Sequence, residues 1–474
     1  MNSPNSGPGG HAALVAGIDS STQSCKVLVV DPETGEVVRQ AGVAHPDGTE
    51  VDPQSWWDAL GSATNQADLD GVRALSVGAQ QHGMVTLDAA GETVRPALLW
   101  NDVRSAPQSR AMIDRLTPQG WADAVGSVPL PAFTVTKLAW LAEHEPEHAA
   151  AVASVLLPHD WLTWRLLGRR HEPTTDRSDA SGTGYWSSAA GDYRLDLLEQ
   201  ALGHGAAVPR VLGPAETAGR TPDGVLVGPG AGDNAAAALG LGLLPGEVAV
   251  SLGTSGAVFA ATDVPTHDGS GIVAGFADAT GRELPLACTL NAARVLTATA
   301  TMLGTDLAGL DRLATEGDPD AGGLTLLPYL DGERTPDLPE AAGSLHGLRR
   351  AAMTPQNLAR SAVLGMLCGL ADALDVMRAN GVPAERVVLI GGASKSQAVR
   401  SAAPDIFGVP AVVPAEAEYV ALGAARQAAW VLGGEEHPPT WQRDVLAETE
   451  PSASDWGPAV RERYDAVRRS AYGI

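Results

Sequence analysis

Two stretches of this chain share a pattern that few folds accommodate. Val15–Val30, VAGIDSSTQSCKVLVV, is an apolar run that ends in Asp19, crosses a cluster of hydroxyl side chains and resumes as a second apolar run. Such a segment reads as a β-hairpin whose tip presents a carboxylate, hydroxyls and backbone N–H groups. Val248–Ala260, VAVSLGTSGAVFA, has the same form; aligning the two sets Ser251 on Asp19 and Thr254 on Thr22. A polar-tipped hairpin in each half of a chain is what a duplicated, two-lobed phosphate clamp requires. The expected fold is therefore α/β, with two related domains facing one another.

Length agrees with that expectation. A chain of 474 residues exceeds one ordinary core, and two domains of roughly 200–250 residues are expected. The formal charge of −24 would repel nucleic acid or an anionic membrane, so neither is an expected partner. Cys25, Cys288 and Cys368 are far apart, odd in number and match no metal-ligand spacing, which fits a reducing cytoplasm. No uninterrupted apolar run approaches the ~18 residues of a membrane span. Residues 1–12, without a basic or apolar segment, read as a flexible leader. The joint Leu244–Glu247, LPGE, divides a first domain over 13–244 from a second over 245–432, leaving a C-terminal extension over 433–474.

Basic residues total 32, yet only Lys26, Lys137 and Lys395 are lysine. A compact ammonium does not substitute for a guanidinium, so these positions are candidates for specific contacts. Along the chain, Asp52-Pro53 opens a helix. A strand over Ala74–Gly78 then delivers Gln80, Gln81 and His82, and a histidine beside glycine at a strand end can bond a polar ligand. Leu98–Arg104, LLWNDVR, offers the flat face of Trp100 with the directional groups of Asn101, Asp102 and Arg104, a mixture suited to a polyhydroxylated small molecule. Local capping by Asp102 would explain the same residues. Thr174–Trp186, TTDRSDASGTGYW, is small and polar and reads as a loop or a short strand pair.

Val225–Gly242 is a strand, a glycine-rich turn, Asp233-Asn234 and an alanine-rich helix. At a helix N-terminus the dipole favours an ionised carboxylate, leaving Asp233 available as a proton acceptor; plain capping is the alternative. Gly391–Ser396, GGASKS, follows a strand and opens a helix, which aims N–H groups at a ligand although it is neither a Walker A loop nor a dinucleotide fingerprint.

GIDSSTQSCK, QHG, LLWNDVR, FTVTKLAW, LLPHDWL, GAGDNAAAALG, SLGTSG, LPYLDGERTP and IGGASKS follow one another in that order within a resemblance that extends from about residue 14 to residue 430. In that order they make the chain resemble the FGGY carbohydrate kinases, and all three lysines fall within the set. The resemblance implies two actin-like, ribonuclease H-like domains with ATP and sugar in the cleft between them, Mg²⁺ as metal, and a cytoplasmic homodimer. It implies phosphorylation of D-xylulose at its 5-position. Kinases of ribulose, gluconate or glycerol share the ATP apparatus, and an actin-like ATPase switch is the alternative of another class. By motif it implies Asp233 as the general base, and Gln81, His82, Trp100, Asn101, Asp102 and Asn234 around the sugar. Asp19 is implied beside the metal, Thr22 and Lys26 in the first phosphate loop, Gly253, Thr254 and Ser255 in the second, and Gly391, Gly392 and Ser396 around the adenosine. Ser21 stands where many relatives carry glycine, and Gln81 where some carry methionine.

Overall fold

The computed structural model describes residues 13–473; the leader expected over 1–12 lies outside the described residues. The first hairpin forms as its pattern dictates, with β1 (Leu14–Ser20) antiparallel to β2 (Ser24–Val30) and Asp19 opposite Lys26. β3 (Val37–Ala44) extends the sheet beyond β2. Helix α1 (Pro53–Ala67) begins at Asp52, whose side chain accepts from the Gln54 N–H, and carries Pro53 in its first turn. It returns the chain so that β4 (Val72–Ala79) runs parallel to β1, with Gly78 opposite Asp19. Helices α2 (Thr134–His144), α3 (Pro158–Leu166) and the one-turn α4 (Arg177–Ser181) follow, and the two-residue strand Ala231–Gly232 lies parallel to β4 with Gly232 opposite Ala79. Helix α5 (Asp233–Leu241) leaves directly from that strand. Three parallel strands thus end at one edge, where they deliver Asp19, Gln80–His82 and Asp233 together.

The second half repeats the plan. β5 (Glu247–Leu252), β6 (Gly256–Ala260), β7 (Val273–Ala277) and β8 (Glu283–Thr289) are followed by the 25-residue helix α6 (Pro355–Ala379). Next come β9 (Arg386–Ile390), α7 (Gln397–Phe407) and β10 (Ala411–Pro414), and then α8 (Tyr419–Gly433), β11 (Val445–Thr449) and α9 (Trp456–Tyr472). The sheet order is β7-β8-β6-β5-β9-β10-β11, with β9 parallel to β5 as β4 is to β1. The last pair before the tip is Ser20–Cys25 in the first hairpin and Leu252–Gly256 in the second, so the second tip is one residue shorter. Helix α6 forms the centre of this domain's core, with Met366, Leu367, Leu370 and Leu374 at 0% exposure. Each such side chain contributes about 1.5–3 kcal/mol on burial. The segment after residue 433 is built into this domain: β11 pairs β10, and Arg461 and Arg468 of α9 hold Asp372 of α6 at 2.8 and 2.6 Å.

Two expectations change on folding. The helix expected near Ala292–Leu310 is two, Ala293–Met302 and Leu307–Glu316, because Gly304 turns the chain at φ 66° and Asp306 caps the second. The stretch Thr174–Trp186, expected as a loop or a short strand pair, is buried except at half-buried Arg177 and includes α4, capped by Asp176. Among the described residues no helix is long and apolar enough to cross a membrane.

The two halves are joined by α8, which lies between β10 and β11 of the second sheet in sequence but packs on the first. Its Ala421, Ala425, Ala428 and Ala429 lie against Val15, Leu28, Val30 and Ala74. Small residues also let its backbone touch α5. A Cβ on Gly423 would stand 1.8 Å from the Ala236 carbonyl oxygen, and one on Gly240 would stand 2.1 Å from that of Tyr419. Gln427 Oε1 accepts from Ser76 Oγ at 2.6 Å, while its amide donates to the Gly230 carbonyl at 2.9 Å. Gly423→Val must therefore push α8 away from α5. We expect a loss of about 1–3 kcal/mol or more in unfolding free energy, read by thermal or urea denaturation; an unchanged midpoint would contradict this contact.

Candidate active site

Two cavities meet between the sheets, one of about 680 Å³ and one of about 440 Å³. The larger is lined by Gly391, Gly392 and Ser394 after β9, by 414–420, and by Ser21. The smaller is lined by Gln81, His82 and Trp100 from the first domain and by Gly253, Thr254, Ser255 and Phe276 from the second. Asp233, Asn234 and Ser251 belong to both walls.

Asp233 is the first residue of α5, placed there by the strand–turn preceding it. A Cβ on Gly232 would meet the Gln81 side chain at 2.6 Å, so glycine is what lets Gln81 and Asp233 occupy neighbouring positions. Asp233 Oδ1 accepts the Asn234 N–H and side-chain amide, each at 2.8 Å, and no other side chain donates to this carboxylate among the described residues. Burial, followed by the Asp19 carboxylate, pushes Asp233 up to about 7 against those two hydrogen bonds. Asp19 is itself raised to about 6 by burial, although the Ser21 hydroxyl donates to it and Lys26 lies nearby. Two carboxylates with so little positive charge around them suit a hard divalent cation, which takes oxygen ligands; the Asp19 side fits Mg²⁺ on that ground.

His82 sits at φ 66°, an unusual conformation for a residue with a Cβ, and is held there from both ends. Its carbonyl accepts from Thr134 Oγ1 at 3.1 Å and from Lys137 Nζ, which also donates to the Ala132 carbonyl. Lys137 is fully buried, and burial lowers its ammonium to about 7. The ring stacks on Phe133 at 4.7 Å and leans on Phe276 at 5.6 Å. Burial, helped by Lys137 and Arg334, pushes the imidazole down to about 3, so the ring is neutral. Since Nδ1 faces the Gly182 carbonyl at 2.6 Å it must carry the proton, and Nε2 is then an acceptor for a hydroxyl.

The remaining expected residues divide. Trp100 lines the smaller cavity and donates through Nε1 to Thr22 Oγ1 at 2.8 Å, tying that cavity's wall to the first tip. Asp102 is instead committed to its own loop, accepting from Thr49 Oγ1 at 2.8 Å and Arg104 Nε at 2.9 Å, and Asn101 does not line either cavity. Lys26 pairs with Glu418 at 2.6 Å across the two halves, and Lys395 with Glu416 at 2.8 Å, both near the surface. Gly391 and Gly392 stand at the larger cavity, but Ser396 turns to cap α7, accepting from Val399 N and donating to Asp311; Ser394 lines the wall in its place. Phe276 and Arg334 were not singled out by the sequence, yet both line the smaller cavity. With only four phenylalanines in the chain, the two that flank His82 carried a usable signal.

Comparison with known proteins follows the same halves. Residues 14–240 match the N-terminal domain, and residues 248–432 the C-terminal domain, of the FGGY family of carbohydrate kinases. The chain is 49% identical over 472 residues to a xylulose kinase of Streptomyces coelicolor, covering 96% of this chain and 93% of the relative. It is 50% identical over 439 residues to the xylulose kinase of Streptomyces rubiginosus, with 89% of each covered. The crystal structure of xylulose kinase from Bifidobacterium adolescentis superposes with a TM-score of 0.90 at 46% identity, covering 96% of this chain and 99% of that one. With both halves matched in order along nearly its whole length, this chain belongs to the FGGY family of carbohydrate kinases.

Proposed function

We propose that this chain transfers the γ-phosphoryl group of ATP to the 5-hydroxyl of D-xylulose, with Asp233 as the general base. The observation that carries the reading is the position of Asp233 in the wall shared by the two cavities, where a sugar hydroxyl from one side can meet a phosphate from the other. Substrate identity is supported by the names of the relatives above, which share about half of the sequence.

Phosphoryl transfer asks mostly for positioning and charge stabilisation. In this reading His82 Nε2 accepts from a sugar hydroxyl, Gln81 holds a second, and the Phe133 and Phe276 faces cover the carbon skeleton. Gly253, Thr254 and Ser255 offer backbone and hydroxyl donors at the second tip. Bound at Asp19, Mg²⁺ would neutralise charge on the phosphates. Asp233 takes the proton from the attacking hydroxyl, and a carboxylate raised to about 7 is well matched to that task near neutral pH. Closure of the two domains on α8 would keep water from the phosphate.

The direct test is ADP release by the purified protein with MgATP across a panel of ketoses, aldoses and polyols. Turnover should rise with D-xylulose; sugar-independent turnover, or preference for another sugar, would overturn the substrate assignment.

A second expectation concerns Asp233→Asn. It should lower turnover by ~10²–10⁴, the usual worth of a general base, while ATP still binds. It should also stabilise the metal-free protein. Because the native carboxyl is raised from 3.8 to about 7, the folded state holds a proton that the unfolded state releases, so wild-type stability falls as pH rises through that window. Asparagine does not titrate. Its thermal midpoint should therefore exceed wild type at pH 8 and converge with it near pH 4; equal midpoints at both pH values would contradict the assigned electrostatics.

A further inference from the structure

His159, in the first turn of α3, is completely buried. Its Nδ1 lies 3.0 Å from Asp160 Oδ1, and its Nε2 lies 3.1 Å from Asp176 Oδ1 and 3.6 Å from Asp179 Oδ2. All three aspartates are buried, and neither oxygen of Asp179 has a hydrogen-bond partner among the described residues. Burial opposes charge on the imidazole, but the Asp160 and Asp179 carboxylates outweigh it and hold the ring protonated well above its usual range. Burial pushes the Asp179 carboxyl well up against the opposing pull of the His159 imidazole, with Asp160 and Asp176 adding to the rise. A buried cation and its carboxylates are costly to desolvate, and removing one partner strands the others.

What the cluster fixes is α4. Asp176 caps it, accepting from Ser178 N at 2.8 Å, Ser178 Oγ at 2.6 Å and Asp179 N at 3.0 Å. The same Ser178 hydroxyl accepts from Gly232 N at 3.0 Å, the residue before Asp233, and the Ser178 carbonyl accepts from Gln81 Nε2 at 3.2 Å. At the other end of α4, the Gly182 carbonyl receives His82 Nδ1 at 2.6 Å. Ser181 Oγ accepts from Ala277 N at 3.0 Å, next to Phe276 in the second domain. The His159 ring also touches the turn before Asp233, since a Cβ on Gly230 would stand 3.1 Å from it. One helical turn therefore contacts Gln81, His82, the main chain of Gly232 next to Asp233, and the opposing domain.

We propose that α4, fixed by the buried cation of His159 among Asp160, Asp176 and Asp179, is the positioning element that holds Gln81 and His82 in register with Asp233, and that the cluster requires the charge of His159 rather than its shape. The proposal rests on the roles given above to Gln81, His82 and Asp233. His159 and Ser178 are positioning residues that act through α4.

The test compares His159→Gln, His159→Lys and Ser178→Ala in the full chain, using the sugar that wild type phosphorylates. His159→Gln should lower kcat by about ten- to a hundredfold, as small misplacements of reacting groups do, and raise KM for sugar while KM for ATP stays constant. His159→Lys keeps a cation but loses the imidazole, and should recover most of both parameters. If His159→Gln does not fold, Ser178→Ala keeps His159 and its three aspartates, removes only the hydroxyl's bonds to Asp176 and Gly232 N, and should reproduce the kcat and sugar-KM defects while remaining folded. The imidazole ¹⁵N resonances of His82, read in the sugar-free protein, should move in His159→Gln and Ser178→Ala and return in His159→Lys. Because that readout needs no turnover, it separates failure of the positioning from failure of the functional reading. Wild-type kcat and sugar KM in a folded His159→Gln protein would overturn the proposal, as would a lysine variant no better than glutamine. A loss confined to Vmax, with both KM values constant and His82 unmoved, would indicate only a smaller folded fraction and overturn it as well.

Discussion

The arrangement depends on a contact between two backbones. Gly423 of α8 lies so close to Ala236 of α5, and Gly240 of α5 to Tyr419 of α8, that no side chain fits between them. Because α5 begins at Asp233 and α8 connects β10 to β11 of the second sheet, this contact fixes where the second domain stands relative to the acid at the cleft. Alanine and glycine give up side-chain burial here, and what they permit is an approach that larger residues would prevent. The two hairpin tips then face a common space with Asp233 and Ser251 between the cavities.

That space holds an electrostatic conflict. Burial raises both Asp19 and Asp233, and the Asp19 carboxylate raises Asp233 further, so the metal-free site keeps protons that ordinary aspartates would lose. A stability-optimised fold would place amides there. The carboxylates make sense as a site waiting for a cation and a hydroxyl proton, and perturbed acids in a cleft are a common mark of chemistry. In the smaller cavity the polar groups are settled differently: His82 is neutral and oriented by Gly182, while Lys137 and Thr134 hold its strained backbone. The FTVTK segment thus supports His82 without lining the cavity through its lysine.

Much of this was legible in the sequence where the signal is local. Alternating apolar residues with a polar tip gave both hairpins, and a strand, glycines and Asp233 gave the start of α5. Gln81, His82 and Trp100 were legible because each stands just past an apolar strand, Gln81 and His82 after Val72–Ala79 and Trp100 after Ala97–Leu98. What sequence could not show were choices made by distant partners. Asp102 faces Arg104 and Thr49 instead of the cavity, and Ser396 caps a helix against Asp311. Nothing local to Ala421–Trp430 says that its small residues meet the first sheet and not the second. Likewise Thr174–Trp186 looks like a loop because its hydroxyls and carboxylates are polar, and only the buried His159 explains why they lie inside.

The central claim is that Asp233 stands between a sugar hydroxyl and the phosphate it attacks. A crystal structure with D-xylulose, Mg²⁺ and a non-hydrolysable ATP analogue addresses it directly. The sugar's 5-hydroxyl should lie within about 2.6–3.2 Å of an Asp233 carboxylate oxygen, facing the γ-phosphate, with the phosphates between the two hairpin tips. A sugar whose phosphate-facing hydroxyl bonds some other residue, with Asp233 out of reach, would contradict it.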